Sequence, residues 1–178
     1  MATTDQPTPE QLARREAALA RVRKYGDPVL RERAPPVGTV DDVVRDQIRD
    51  MTRLLDDAME AGIAATQLGV LNRVFVYRAD VDAPVRALVD PELEWVSEET
   101  DVAEEGCLSI PGIWIEVERP ARVRMRGVDE HGAPVVIEAE MPEARVLQHE
   151  LDHLDGILTL DRTTPEQRRE ALRELRRR

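Results

Sequence analysis

The stretch Gln148-His149-Glu150-Leu151-Asp152-His153-Leu154-Asp155-Gly156 holds two of the chain's three histidines, four residues apart, with a glutamate beside the first. On a helix, imidazoles at i and i+4 share one face, one turn apart, and can meet on a single cation. Glu150 does not fully share that face, but it can reach a water on the cation and act as its general base, as in H-E-x-x-H metallohydrolases. A catalytic centre of this kind takes a third protein ligand and keeps one position open for water. A metzincin would place that ligand three residues after Gly156, where Thr159 stands, and His131 falls in a polar turn. Glu166, Glu170 and Glu174 belong to an arginine-rich tail suited to solvent. That leaves Cys107, in Glu105-Gly106-Cys107-Leu108-Ser109. A lone cysteine is ordinarily a small buried hydrophobe. As a thiolate it binds a divalent ion strongly and leaves the site about one net positive charge, a Lewis acid that still ionises water.

The elements that must position these groups follow from periodicity and turn residues. The motif sits on a helix from about Glu143 through Leu154, with Gly156 as its stop. Between Asp41 and Ala61 the residues Val43, Val44, Ile48, Met51, Leu55, Ala58 and Met59 recur every three or four positions, which predicts a long amphipathic helix ended by Gly62. Val74–Tyr77 and Val85–Val89 read as buried strands. Arg122–Val128 and Pro134–Glu140, joined by Asp129-Glu130-His131-Gly132, read as a hairpin. Residues 1–11 are polar and are expected to be disordered, followed by a short helix over Leu12–Lys24.

The bulk properties narrow the class. At 178 residues, with 42% hydrophobic and 3% aromatic side chains, the chain suits one domain whose core is Leu, Val, Ile, Ala and Met. A net charge of −11 excludes a protein that wraps nucleic acid with its whole surface. The absence of a signal-like N-terminus or a long apolar run points to a cytoplasmic protein with no membrane span. The single cysteine excludes an internal disulfide.

Three separated segments resemble the peptide deformylases, which remove the N-formyl group from newly made bacterial proteins. The family's G-x-G-x-A-A-x-Q is matched by Gly62-Ile63-Ala64-Ala65-Thr66-Gln67, its E-G-C-L-S by Glu105 to Ser109, and its Q-H-E-x-D-H by Gln148 to His153. The likeness covers roughly residues 24–163, which would make 1–23 an N-terminal extension and 164–178 a basic C-terminal helix. It implies an α+β fold with mainly antiparallel sheets packed around a central helix carrying the H-E-x-x-H motif. It also implies that Cys107, His149 and His153 hold one divalent ion, Fe2+ in the first place, with Zn2+ or another divalent ion compatible with the same donors. Metal-bound hydroxide would attack the formyl carbon of a formylmethionyl peptide, with Glu150 as general base and acid. The Gln67 amide and the Leu108 backbone N–H would hold the oxyanion. Gly62, Ile63, Glu105 and Trp114 would contact substrate. Asp152, paired with Arg119, would orient the ligands, a role that Glu105 also fits.

The chain departs from the pattern at Glu60, which replaces the first glycine of the glycine-rich segment. Its carboxylate either ends the long helix in water or enters the cleft and favours basic over acidic peptides. Trp114 stands where the family often has Arg and offers either an apolar contact or packing. The tail from Arg162 has seven arginines against three glutamates, which suits either a solvated helix end or a contact with the ribosome. Two rivals to a deformylase are a related hydrolase of altered specificity and a non-catalytic module whose zinc takes a fourth protein ligand.

Overall fold

The computed structural model describes residues 6–80 and 82–177. Helix α1 (Pro9–Ala20) leads into a segment without strands, then α2 (Asp42–Ala58), β1 (Gly62–Ala64), β2 (Val74–Tyr77), β3 (Arg86–Val96), β4 (Thr100–Cys107), β5 (Ile110–Pro120), β6 (Arg122–Val128), β7 (Pro134–Glu140), α3 (Glu143–Leu154) and α4 (Pro165–Leu175). The strands form a five-stranded antiparallel sheet in the order β1-β2-β3-β6-β7 and a separate two-stranded sheet, β4-β5. This is the expected α+β architecture.

Strand alternation divides the core. All four residues of β2 are buried. Val74 and Val76 face α2, where Met51, Leu55 and Ala58 pack, and Phe75 and Tyr77 face α3, where Leu147, Leu151 and Leu154 pack. A third cluster joins β5 to α4 through Ile113, Ile115, Val117 and Ala171, with Leu172 and Leu175 against it. Each fully buried leucine or isoleucine contributes ~1.5–3 kcal/mol relative to exposure. Helix α3 therefore lies between the main sheet and the small one, and this places its polar face beside β4 and β5.

Several boundaries differ from the sequence expectations, each for a local reason. Residues 1–5 of the expected disordered segment lie outside the described residues. Disorder does not extend through residue 11, because Thr8 and Gln11 form a capping box that starts α1 at Pro9. Helix α1 also stops at Ala20, short of Lys24, and Arg23 and Tyr25 instead donate their backbone N–H groups to the carbonyls of Gln67 and Ser109. Helix α2 ends at Ala58, not at Gly62, because Met59 takes the left-handed conformation at φ 57° and closes the last turn on Leu55 and Asp56. Strand β3 runs on to Val96, well past Val89, to pair with β6. The expected hairpin is β6–β7, from Arg122↔Glu140 to Val128↔Pro134. Helix α3 has the expected bounds, and Gly156 follows it at φ +73°, so close under the Arg31 carbonyl that a β-carbon would lie 2.5 Å from that oxygen.

Candidate metal centre and cleft

Cys107 is the last residue of β4, where the register with β5 shifts and the chain turns back to Ile110. His149 and His153 stand one turn apart on α3 with ring centroids 4.9 Å apart. Cys107 Sγ lies 3.3 Å from His153 Nε2, which lies 3.2 Å from His149 Nε2. All three donor atoms fall within 4.8 Å of one another. One cation can reach all three at bonds of about 2.0–2.3 Å. Among the described residues no fourth Cys, His, Asp or Glu joins this cluster, so His131, Glu166, Glu170 and Glu174 are not part of it. His131 is an exposed turn residue beside Glu130.

The surroundings prepare the donors for a metal. Glu105 Oε2 lies 2.9 Å from His149 Nδ1, which leaves Nε2 directed at the cluster. Burial opposes ionisation of the Cys107 thiol, but His153 and His149 outweigh it and hold the thiol well below its ordinary pKa, in the form that binds metals. Thr66 Oγ1 donates to the His153 backbone carbonyl at 3.1 Å and ties α3 to the glycine-rich segment. A set of thiolate and two imidazoles, one of them oriented through its far nitrogen, fits a resident Fe2+ or Zn2+ ion.

Behind the donors runs a buried ionic network. Arg119 grips Glu105 with two parallel bonds of 2.8 and 2.9 Å and reaches Asp152 at 2.7 Å. The expected Asp152–Arg119 pair is therefore present. Arg145 adds a bond of 2.8 Å to Glu105, and Arg162 Nε one of 3.0 Å to Asp152. Burial alone would raise the Glu105 pKa, yet Arg119 and His149 hold its carboxyl well below the usual carboxylate range. Glu105, expected among the substrate contacts, lines the cleft with little of its side chain free. Its side chain is 3% exposed and both oxygens are committed to Arg119, Arg145 and His149.

Glu150 lines the same cleft, of about 830 Å³, with Cys107, His149, Gly62, Gln67 and Trp114. Its Oε2 is buried and has no hydrogen-bond partner among the described residues. Burial, only partly offset by His149 and His153, pushes its pKa up to about 7. A carboxyl poised there exchanges protons readily near neutrality. Gly62 makes room for it: a β-carbon on Gly62 would lie 2.4 Å from Glu150 Oε1. Gln67 is buried, with Oε1 accepting from the Ala64 N–H at 3.0 Å. That bond fixes the amide so that Nε2 points toward Ser109 Oγ at 3.2 Å and Cys107 Sγ at 3.8 Å. Leu108 lines the cleft next to the sulfur.

Of the other expected substrate contacts, Trp114 is 66% exposed, with its ring over Gly106. Ile63 differs from the expectation: its side chain is fully buried against the α2 core, so only its backbone can face a ligand. Glu60 lines the cleft and is partly covered, its Oε1 3.3 Å from Arg15 Nη2, so it is neither free in water nor directed at the donors. Reading the sequence alone missed Arg145, Arg162, Thr66 and Ser109. Serine and threonine beside the motifs were visible, but nothing in the sequence announces the partner of a lone arginine on an otherwise apolar helix face.

Residues 19–169 match the family model described as polypeptide deformylase. A peptide deformylase of Acidothermus cellulolyticus is 46% identical over 159 residues, covering 89% of this chain and 87% of that protein. The crystal structure of a peptide deformylase from Legionella pneumophila superposes with a TM-score of 0.83 at 36% identity, covering 88% of this chain and 92% of that one. A peptide deformylase from Synechococcus elongatus in complex with actinonin gives a TM-score of 0.81 at 38% identity, over 86% and 85% of the two chains.

Proposed function

The chain belongs to the polypeptide deformylase family, and from that premise we propose the roles of its site residues in hydrolysing the N-formyl group of formylmethionyl chains. It is a metal-dependent hydrolase of nascent proteins, and Cys107, His149 and His153 would hold its one divalent ion, Fe2+ before Zn2+. Bound there, the ion would polarise the formyl carbonyl and bring the pKa of a coordinated water toward neutrality. Glu150 would take the proton of the attacking water on its unpartnered Oε2 and deliver it to the leaving amine. Gln67 Nε2 and the Leu108 N–H would donate to the oxyanion, each contributing ~2.7–4 kcal/mol when probed by mutation. The backbone of Gly62 and Ile63 and the Trp114 ring would line the peptide, and Arg119 and Asp152 would hold Glu105 and α3 in register.

The observation that carries this reading is the unpartnered Glu150 carboxylate beside three converging donors in one cleft. Glu150→Gln is expected to retain one metal per chain and lose about 10²–10⁴-fold in turnover of a formyl-Met peptide. Protein purified without oxygen, with its metal quantified in the same sample, tests both this and the choice of iron. A metal-replete wild type with no deformylation would refute the assignment.

Action on nascent chains supports a cytoplasmic location. Helix α4 packs Ala171, Leu172 and Leu175 on β5 and leaves Arg169, Arg173, Arg176 and Arg177 exposed. These arginines, interleaved with exposed Glu166, Glu170 and Glu174, leave an excess of positive charge that supports a ribosome contact. Co-sedimentation with ribosomes unchanged by replacing those four arginines with alanine would dispose of that contact. No described helix is long and apolar enough to cross a membrane.

A further inference from the structure

The cleft has a wall that the family match does not include. Helix α1 spans Pro9–Ala20, whereas the matched residues begin at 19, yet Arg15 and Glu16, which precede the match, line the cleft. Arg15 is fixed at the end of α2. Its Nε donates to the Ala58 carbonyl at 3.2 Å and its Nη2 to Glu60 Oε1 at 3.3 Å, so the guanidinium both satisfies a helix C-terminus and holds the carboxylate. The backbone of Glu60 is pinned in turn, its N–H donating to Leu55 at 3.4 Å. The Ala61 carbonyl accepts from the Arg78 N–H at 2.9 Å and so continues the β1–β2 ladder outward. Glu60 thus stands two residues before Gly62, which touches the Glu150 carboxylate. At about 3.3 Å per extended residue this is at most ~7 Å along the chain, the span of one or two residues of an extended peptide.

The charges around this point are unequal in what they still offer. Glu60 is 34% exposed, and no described residue partners its Oε2. Exposed Glu16 and Glu104 line the same cleft. Of the cations, Arg15 already serves Ala58 and Glu60, Lys24 donates to the carbonyls of Leu19 and Leu108, and Arg145 is committed to Glu105 and Asp101. A cationic side chain entering here meets the open Glu60 carboxylate with Glu16 and Glu104 nearby, whereas an anionic one meets only Lys24 as a cation not already paired with a carboxylate.

We propose that Glu60, held by Arg15, is a specificity-determining residue that selects peptides carrying a basic side chain in one of the two residues after formylmethionine. This rests on the deformylase assignment and extends it to the substrate's sequence. A half-exposed ion pair of this kind changes kcat/KM by about twofold to fivefold.

The test compares metal-loaded, full-length protein on C-terminally amidated formyl-Met peptides with Lys, Ala or Glu at the second and then the third position. The readout is the Lys-to-Glu ratio of kcat/KM at each position, which is independent of the fraction of active enzyme. The wild type should prefer Lys by about twofold to fivefold at one of the two positions at low salt, and less at about 0.5 M salt, where the added ions screen the pair. Glu60→Gln should bring the ratio near one, and Glu60→Lys should invert it. A wild-type ratio of one or below at both positions, or a preference that persists in both variants, would overturn the proposal. Failure to hydrolyse any of the formyl peptides would instead overturn the deformylase assignment, and the selectivity with it.

Discussion

Replacing Gly62 with alanine isolates the placement of Glu150 from everything else in the site. Gly62 is not in the left-handed region, so its backbone tolerates alanine, and the new methyl points at one neighbour. It would meet Glu150 Oε1 at 2.4 Å and Cδ and Cγ at 2.8 Å, whereas ordinary contact begins at 3.4 Å. The carboxylate must therefore move by about 1 Å. A misplacement of that size costs about 10²-fold in rate, or ~2.7 kcal/mol in the barrier. The three atoms nearest the methyl all belong to Glu150, so metal content is expected to stay at the wild-type value and the melting temperature to fall only slightly. The assay is kcat/KM on a formyl-Met peptide, with metal quantified and thermal unfolding recorded on the same preparation. Full activity in a metal-replete Gly62→Ala enzyme would refute the claim that the position of Glu150 limits the reaction. Loss of metal in step with activity would refute the separation of its role from that of the donors.

Further expectations concern the network and the fold. Arg119→Met leaves Glu105 and Asp152 buried with only Arg145, Arg162 and His149 to compensate, and should cost about 3 kcal/mol in chemical denaturation while weakening metal binding 10–100-fold. An unchanged denaturation midpoint and metal affinity would contradict it. Burial opposes ionisation of Asp161, but Arg31, the Leu158 N–H and Arg168 outweigh it and hold its pKa below the ordinary value. A depressed folded-state pKa stabilises the protein above the unfolded-state value of about 3.9, and this contribution is lost as pH falls through the folded value. The stability difference between wild type and Asp161→Asn should thus be constant from pH 7 to about 5 and shrink below about 4. A difference that widens on acidification, measured by urea titration at each pH, would contradict it.

Much of this site could be read from residue order because short-range rules governed it. The spacing of His149 and His153 needs only a helix, and α3 carries its apolar residues with helical period toward Phe75 and Tyr77. The pairing of Cys107 with that helix, across more than forty residues, rested on the elimination of other ligands and on the resemblance. What escaped was decided by tertiary context. Strands β4 and β5 have no counterpart among the sequence expectations, although Ile113, Ile115 and Val117 alternate with Trp114, Glu116 and Glu118, because the acidic residues Asp101, Glu104 and Glu105 of β4 mask the two-residue period there. Ile63 sits in the glycine-rich segment, but strand geometry turns its side chain inward, away from the face shared by Gly62 and Glu150. The end of α2 was misplaced because Met59, not a glycine, adopts the turn conformation.

Among the described residues, the β4–β5 ribbon shares no strand pairing with the five-stranded sheet. It carries the sulfur donor, whereas both imidazoles ride on a helix anchored to the other sheet. A cation bridging them would add to a seam already held by the Glu105–Arg119–Asp152 bonds and by Arg145 and Gln148, which donate to carbonyls of β4 and β5. If Cys107, His149 and His153 hold a cation as proposed, those donors would also be part of the clasp. Removal of the cation should then loosen the ribbon as well as stop the reaction.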